Sequence, residues 1–179
     1  MSRHSDQDRD LPAQDGIDER RAQWASELPD VDTSGMAILG RARWITLAAR
    51  LPIEAVFKTH GIDSGEADVL FTLLRSGPPY RLRPTELFRS LMISSGGLTD
   101  RLNRLAKAGL IRRVQAEGDG RSLPVELTPE GVLRATAAFR EDMSIEATML
   151  SGLSLEEQND LARLLRKLVV TITSTPPFD

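Results

Sequence analysis

The chain has 179 residues, 40% of them hydrophobic and 27% charged, with a net charge of −3, which suits one well-packed domain carrying added helical arms. It has no cysteine, which excludes disulfides, thiolate metal sites and thiol redox sensing, and its two histidines, His4 and His60, lie far apart with no further ligands near either. No apolar run is long enough to span a bilayer, and the start "MSRHSDQDRD" lacks the apolar centre of a signal peptide, so a cytoplasmic location is expected.

Residues 1–12 are polar and acidic and read as a disordered tail. Asp6, Asp8 and Asp10 alternate like the start of a calcium loop, but Leu11 stands where that loop needs glycine and Ile17 where it needs glutamate, so no metal is expected. A short amphipathic helix is predicted from Gln14 to Leu28, carrying Ile17 and Trp24 and ending before Pro29. Ser34 opens a longer helix through Met36, Leu39, Ile45 and Leu47, which Pro52 should kink or interrupt before it ends near His60. Asp63 and Glu66 have the spacing of a capping box for a helix to about Arg75, with Val69, Leu70, Leu73 and Leu74 inward. "SGPPY" breaks the chain, and Pro84 starts a helix through Leu87 and Leu91, with Arg83 where a capping Ser or Thr would fit better.

The next helix opens in "SSGGLTDRLNRLAKAGLIRR", residues 94–113, with Leu98, Leu102 and Leu105 at helical spacing and Gly109 as its stop. After it, "LIRRVQAE" and "SLPVELT" are short β-like runs joined by the turn signal "GDGR". Thr128 and Pro129 cap a helix to about Leu150, and Ser154 with Glu157 caps a last helix faced by Leu155, Leu161, Leu164, Leu165 and Leu168. The order is helix, turn, helix, two-stranded hairpin, flanked by apolar-faced helices. The expected fold is therefore mainly α: a winged helix-turn-helix over 61–128, with dimerisation helices at 13–60 and 129–179 and a two-stranded wing. The arms carry more apolar face than one small domain buries, which predicts pairing with a second copy.

Charge distribution points to the partner. Between Arg75 and Arg113 nine basic residues face two acids, Glu86 and Asp100, so this window carries +7 and the remainder −10. A basic surface on an acidic body suits double-stranded DNA, whose phosphates attract over about a Debye length, roughly 10 Å. In a helix-turn-helix the second helix enters the major groove by its N-terminus. Gly96 and Gly97 would each weaken its first turn by about 1 kcal/mol relative to alanine while letting backbone approach phosphate. Ser94, Ser95, Thr99, Arg101, Asn103, Arg104 and Lys107 are the candidates to reach bases or phosphates. No glycine-flanked nucleophile, metal-ligand spacing or phosphate loop appears, so no enzymatic activity and no cofactor are expected.

"GIDSGEADVLFTLL", "PTELFRSLMISSGGLTDRLNRLAKAGLIRR" and "GDGRSLPVELTPEGV", from about Gly61 to Val132, resemble the multiple-antibiotic-resistance regulator (MarR) family of bacterial transcription factors. The resemblance implies that Asp119 steadies the wing and Arg121 enters the minor groove. The extra N-terminal helix with Trp24, together with "DTSGM", "EADVLFTLLRSGPPYRLRPTEL" and "SSGGLTDRL", is similar to the urate-responsive branch of that family. By that similarity Trp24, Asp68, Arg75 and Arg101, with Arg113 in addition, would bind a small anionic aromatic effector such as urate. An indole face and forked guanidinium donors suit such a planar anion, and Asp68 would repel it and so transmit its arrival. The expected function is a homodimeric repressor released from a pseudo-palindromic operator by that effector. The alternative is a winged-helix regulator without a ligand, controlled by abundance or by a protein partner.

Overall fold

A computed structural model describes residues 14–91, 97–115 and 123–174. The chain forms two compact units, one made of the residues up to Leu47 together with those from Glu146, the other Ala48–Ile145.

In the first unit, α1 (Gly16–Glu27) begins at a capping box that the sequence reading missed because both its members are aspartates. Asp15 accepts from the N–H groups of Ile17 (2.8 Å) and Asp18 (3.1 Å), and Asp18 accepts from Asp15 N–H at 3.2 Å. Arg41 locks this turn from across the chain, with Nε 2.8 Å from Asp15 Oδ2 and Nη2 2.7 Å from Asp18 Oδ2. Arg41's hydrogen bond holds the Asp15 carboxyl below its ordinary range. Residues from Ser34 enter a π-helical turn at Met36–Gly40 that runs into α2 (Arg41–Thr59). Of the kink or interruption expected at Pro52, the interruption does not occur: α2 continues through it. Pro52 has no N–H to donate to the Ala48 carbonyl and its ring crowds that carbonyl, and the border between the two units falls at Ala48.

The second unit holds the core. Helix α3 (Ser64–Arg75) starts at the expected box, in which Glu66 N–H donates to Asp63 Oδ1 (2.8 Å) and Asp63 N–H to Glu66 Oε2 (2.9 Å). Helices α4 (Pro84–Ser90) and α5 (Leu98–Lys107) follow, then the long α6 (Pro129–Met149), whose start is capped by Thr128 Oγ1 accepting from Gly131 N–H at 3.0 Å. Arg83 offers no side-chain cap to α4; Glu86 instead reaches back to Arg83 N–H at 2.7 Å. Leu70, Leu73, Leu87, Leu105 and Leu110 are fully buried together with Val69 and Val125. The apolar spacing predicted this inward face correctly.

The expected pair of strands forms as β2 (Ile111–Arg113) and β3 (Val125–Leu127), and a third strand, β1 (Arg81–Leu82), joins them in an antiparallel sheet of order β1–β3–β2. Arg81 and Arg112 both stand opposite Glu126. A two-residue strand behind "SGPPY" has no alternation to read, and only pairing with distant β3 makes it a strand. The last helix, α7 (Leu155–Ser174), opens at the expected Ser154–Glu157 box, with Ser154 N–H donating to Glu157 Oε2 at 2.6 Å. It contains no buried residue.

Candidate nucleic-acid interface

Helix α5 turns Leu102 and Leu105 into the core and leaves Thr99, Asn103 and Lys107 exposed at four-residue intervals, one stripe on the opposite side. Asp100, one of the two acids of the basic window, is exposed beside that stripe. The glycine expected inside the first turn lies just ahead of the helix: Gly97 is the N-cap residue, with φ +74° in the left-handed region. It therefore serves the turn into α5 and does not weaken the helix interior. Ser94, Ser95 and Gly96, and the wing residues Asp119 and Arg121, lie outside the described residues.

The two arginines of α5 are turned toward α3. Arg104 donates from Nε to Glu66 Oε1 (2.7 Å) and from Nη2 to Asp63 Oδ2 (2.7 Å), so the box that caps α3 also clamps α5. Glu66 is only 8% exposed, and its hydrogen bond is the main cause that raises the Arg104 pKa above the ordinary value. Arg101 lies over Gly65: a Cβ built there would sit 2.3 Å from Arg101 Nε, so any side chain at this position would require Arg101 to move. Both arginines border a cleft of about 940 Å³ whose far wall is Arg50, Glu54 and Lys58 of α2.

The sheet spends two more arginines. Glu126, buried on β3, accepts from Arg81 Nε at 2.6 Å and from Arg112 Nε at 3.1 Å, with closer contacts from the terminal nitrogens of both. Arg112 is the larger cause, and Arg81 the second hydrogen bond, that hold the Glu126 carboxyl below the ordinary range against the opposing effect of burial. The +7 read from the Arg75–Arg113 window thus overstates the free basic surface. Glu126, Asp63 and Glu66 lie outside that window in sequence and enter it in space. Sequence reasoning also passed over Phe88, 54% exposed on α4 in a groove that Pro84, Thr85 and Thr99 help to line, because Leu87 beside it carries the core contact.

The effector candidates divide. Gly65, Asp68, Thr72 and Arg75 follow 3–4–3 spacing and share one face of α3. Arg101 covers the first, and Arg75 donates to Thr72 Oγ1 at 3.0 Å and to the carbonyl of Ser90 at the end of α4. Arg113 instead donates from Nη2 to Asn103 Oδ1 at 3.1 Å, on the wing side of α5. Trp24 belongs to the first unit, 48% exposed, beside a pocket of about 440 Å³ with Leu28, Val31 and Met36. The tryptophan that meets an arginine is Trp44, whose ring lies 5.0 Å from the Arg20 guanidinium.

Residues 60–122 match the model of the MarR family. Over 146 residues the chain is 36% identical to the HTH-type transcriptional regulator PecS of Dickeya dadantii, covering 82% of this chain and 88% of that one. The chain belongs to the MarR family. This MarR-family chain is also 28% identical to the HTH-type transcriptional repressor YetL of Bacillus subtilis, over 65% of its own length and 69% of YetL's. Among solved structures it shares the fold of a mutant Escherichia coli MarR complexed with operator DNA, with TM-score 0.65 and 23% identity over 77% of this chain and 99% of that one. The organohalide-sensing regulator RdhR-CbdbA1625 in its 2,4-dichlorophenol-bound form has the same fold, with TM-score 0.69 and 16% identity over 86% and 94% of the two chains. The MarR-family chain is thus a DNA-binding transcriptional regulator, and its relatives are regulators, not enzymes.

Proposed function

We propose that this chain is a homodimeric repressor that leaves a pseudo-palindromic operator when a small planar anion, urate or a close analogue, binds. The segments 13–60 and 129–179 supply the dimer contacts and 61–128 reads DNA. Ser94, Ser95, Gly96, Gly97, Thr99, Asn103 and Lys107 meet the major groove and Arg121, steadied by Asp119, the minor groove. In this reading Arg101 and Arg104 act chiefly by seating the recognition helix. Trp24, Asp68 and Arg75 hold the effector, with Arg101 and Arg113 completing the path to DNA.

One observation carries the ligand part: α3 bears Asp68 and Arg75 on the face whose first residue, Gly65, is covered by Arg101 of the recognition helix. A charge arriving beside Asp68 acts on the same helix that seats α5, so ligand and operator draw on one mechanical element. Linkage then requires DNA to weaken ligand binding by the factor by which ligand weakens DNA binding. Support by analogy comes from RdhR-CbdbA1625, a fold neighbour whose ligand is also a small aromatic.

The test is a mobility-shift titration on the DNA beside the chain's own gene, with and without urate, joined to calorimetry on Trp24→Ala, Asp68→Asn and Arg75→Lys. Arg75→Lys keeps the charge and loses the fork, so urate affinity should fall about tenfold, while operator affinity holds. Asp68→Asn should bind urate yet release DNA poorly. Unchanged urate affinity in all three variants overturns the effector site and leaves the DNA-binding role intact.

A further inference from the structure

Helix α4 is short and gripped by packing along one line only. Leu87 is its one fully buried residue, and Leu91, four residues on and just past the helix, is partly buried against the same core. Rolling about that line is left to contacts at the two ends. The start is tied to the sheet, because Arg81 and Leu82 pair with β3 just ahead of Pro84. The end is tied to α3 by a side chain. The Ser90 carbonyl is among the last four of the helix, which have no partner within it, and it accepts from Arg75 Nη2. Arg75 stands on a fixed base, since Val69, Leu70 and Leu73 of the same helix have no exposure.

The same nitrogen makes a second bond, to Thr72 Oγ1 at 3.0 Å. Nη2 carries two hydrogens, so both are engaged within the protein. A guanidinium has five N–H donors and two edges on which a pair of them lies parallel, Nε with Nη2 and Nη1 with Nη2. Both edges need Nη2. With Thr72 and Ser90 held, Arg75 offers an anion single donors from Nε and Nη1, and a parallel pair becomes available only when Nη2 leaves one of its two partners. Thr72 lies on the same helix as Arg75 and is 1% exposed, whereas Ser90 sits at the end of the less firmly packed α4. The bond that gives way is the one to Ser90.

We propose that Arg75 is a positioning residue for DNA recognition: it latches the end of α4, and hence the entry to the turn before α5, onto α3. A planar anion that takes a paired edge of Arg75 opens this latch. The latch stands on the contacts of Arg75 alone, while its opening rests on the reading of Arg75 as an effector ligand.

The experiment selects an operator for the full-length protein from a randomised duplex library, then compares wild type, Arg75→Lys and Arg75→Met without any small molecule. Arg75→Met has no donor, and operator affinity should fall about tenfold, the effect of one charge-assisted hydrogen bond. Arg75→Lys can still donate to a terminal carbonyl, so its affinity should stay within about threefold of wild type. Hydrogen exchange of the Leu91 amide, which bonds to the Leu87 carbonyl, reports the last turn of α4. It should quicken in Arg75→Met and not in Arg75→Lys, a change that loss of charge alone would not produce. Urate added to wild type should quicken the same exchange, and urate added to Arg75→Lys should do so far less. An Arg75→Met variant with wild-type operator affinity and wild-type Leu91 exchange overturns the latch and leaves the effector reading to its own test. Urate that binds wild type without moving Leu91 exchange overturns the opening step. Wild type that loses the latch in Arg75→Met yet binds no urate supports the positioning role and overturns the effector reading together with the opening step.

Discussion

The two compact units use apolar residues in opposite ways. In Ala48–Ile145 the leucines at helical spacing close on one another: Leu70, Leu73 and Leu87 have no exposure at all. In the other unit Ile17 is the one buried hydrophobic side chain among the described residues. Trp44, Ile45 and Leu47 are each more than half exposed, and Leu155 and Val169 on α7 reach 75% and 57%. The same sequence signal thus has two outcomes, and what separates them is the number of elements that converge. The second unit brings α3, α4, α5 and a sheet around one centre. The first has helices whose apolar faces exceed what their own neighbours cover, at about 25 cal/mol for each Å² left in water. That asymmetry is the physical ground for a second copy.

The exposed apolar face of α7 gives the largest expected effect. Replacing Leu164 and Val169 together by glutamate puts charge into the faces proposed to pair, and should leave the second unit folded. Sedimentation should show a shift from dimer to monomer at micromolar concentration. Operator affinity should fall by about a thousandfold, near the lower bound of specific over non-specific binding. A stable dimer in that variant would remove the argument from exposed faces. Leu73→Ala is the counterpart in the other unit. It should cost about 3 kcal/mol of stability, measured by urea unfolding, with a midpoint that the dimer's dissociation does not set. If its cost instead tracked the α7 variant's concentration dependence, the two units would not be energetically distinct.

A smaller effect separates structural from DNA-facing charge within the second unit. The Glu126 carboxyl titrates below its unfolded value because Arg112, and then Arg81, favour its charged form. Its contribution to stability is therefore whole above the unfolded glutamate value of about 4.3 and drains away as pH falls through the lower, folded value. Glu126→Gln should flatten the acid arm of the stability–pH curve and leave the neutral arm lower than in wild type. Unchanged acid denaturation would mean that the triad contributes nothing. The salt slope of operator binding should change by less than about one unit, since Arg81 and Arg112 lie on the sheet and are not among the residues proposed to meet DNA.

Local signals were legible wherever neighbours in sequence are neighbours in space. The boxes at Asp63–Glu66 and Ser154–Glu157, the cap at Thr128 and the inward stripe of α5 all rest on contacts within a turn. What escaped depends on distant partners. The strand at Arg81–Leu82 exists through pairing with Val125 and Glu126, and the arginines counted as free charge find Glu126, Asp63 and Glu66 from elsewhere in the chain. The exposed side of α5 was least legible, because Arg101 and Arg104 look like free charge in sequence and lie against α3 in space. Asn103 and Arg113, ten residues apart and expected to serve DNA and effector respectively, meet at 3.1 Å.

The smallest effect concerns the turn that opens α5. Gly97 has φ +74°, and a Cβ built there meets no atom within 4 Å among its described surroundings. Gly97→Ala therefore encounters backbone strain and no clash, a cost of about 1 kcal/mol for an L side chain held in the left-handed region. Were Gly97 interior to the helix, as the spacing alone suggests, the same substitution would stabilise by a similar amount, since alanine favours helix over glycine. The sign of one stability measurement thus decides between a cap and a helical turn. Thermal or urea unfolding of Gly97→Ala should show a loss; a gain would place Gly97 within the helix. Gly97→Asn sharpens the result, because asparagine tolerates the left-handed conformation better than alanine. It should fall between wild type and the alanine variant, and an asparagine variant less stable than alanine would sink the strain account even if alanine is destabilising.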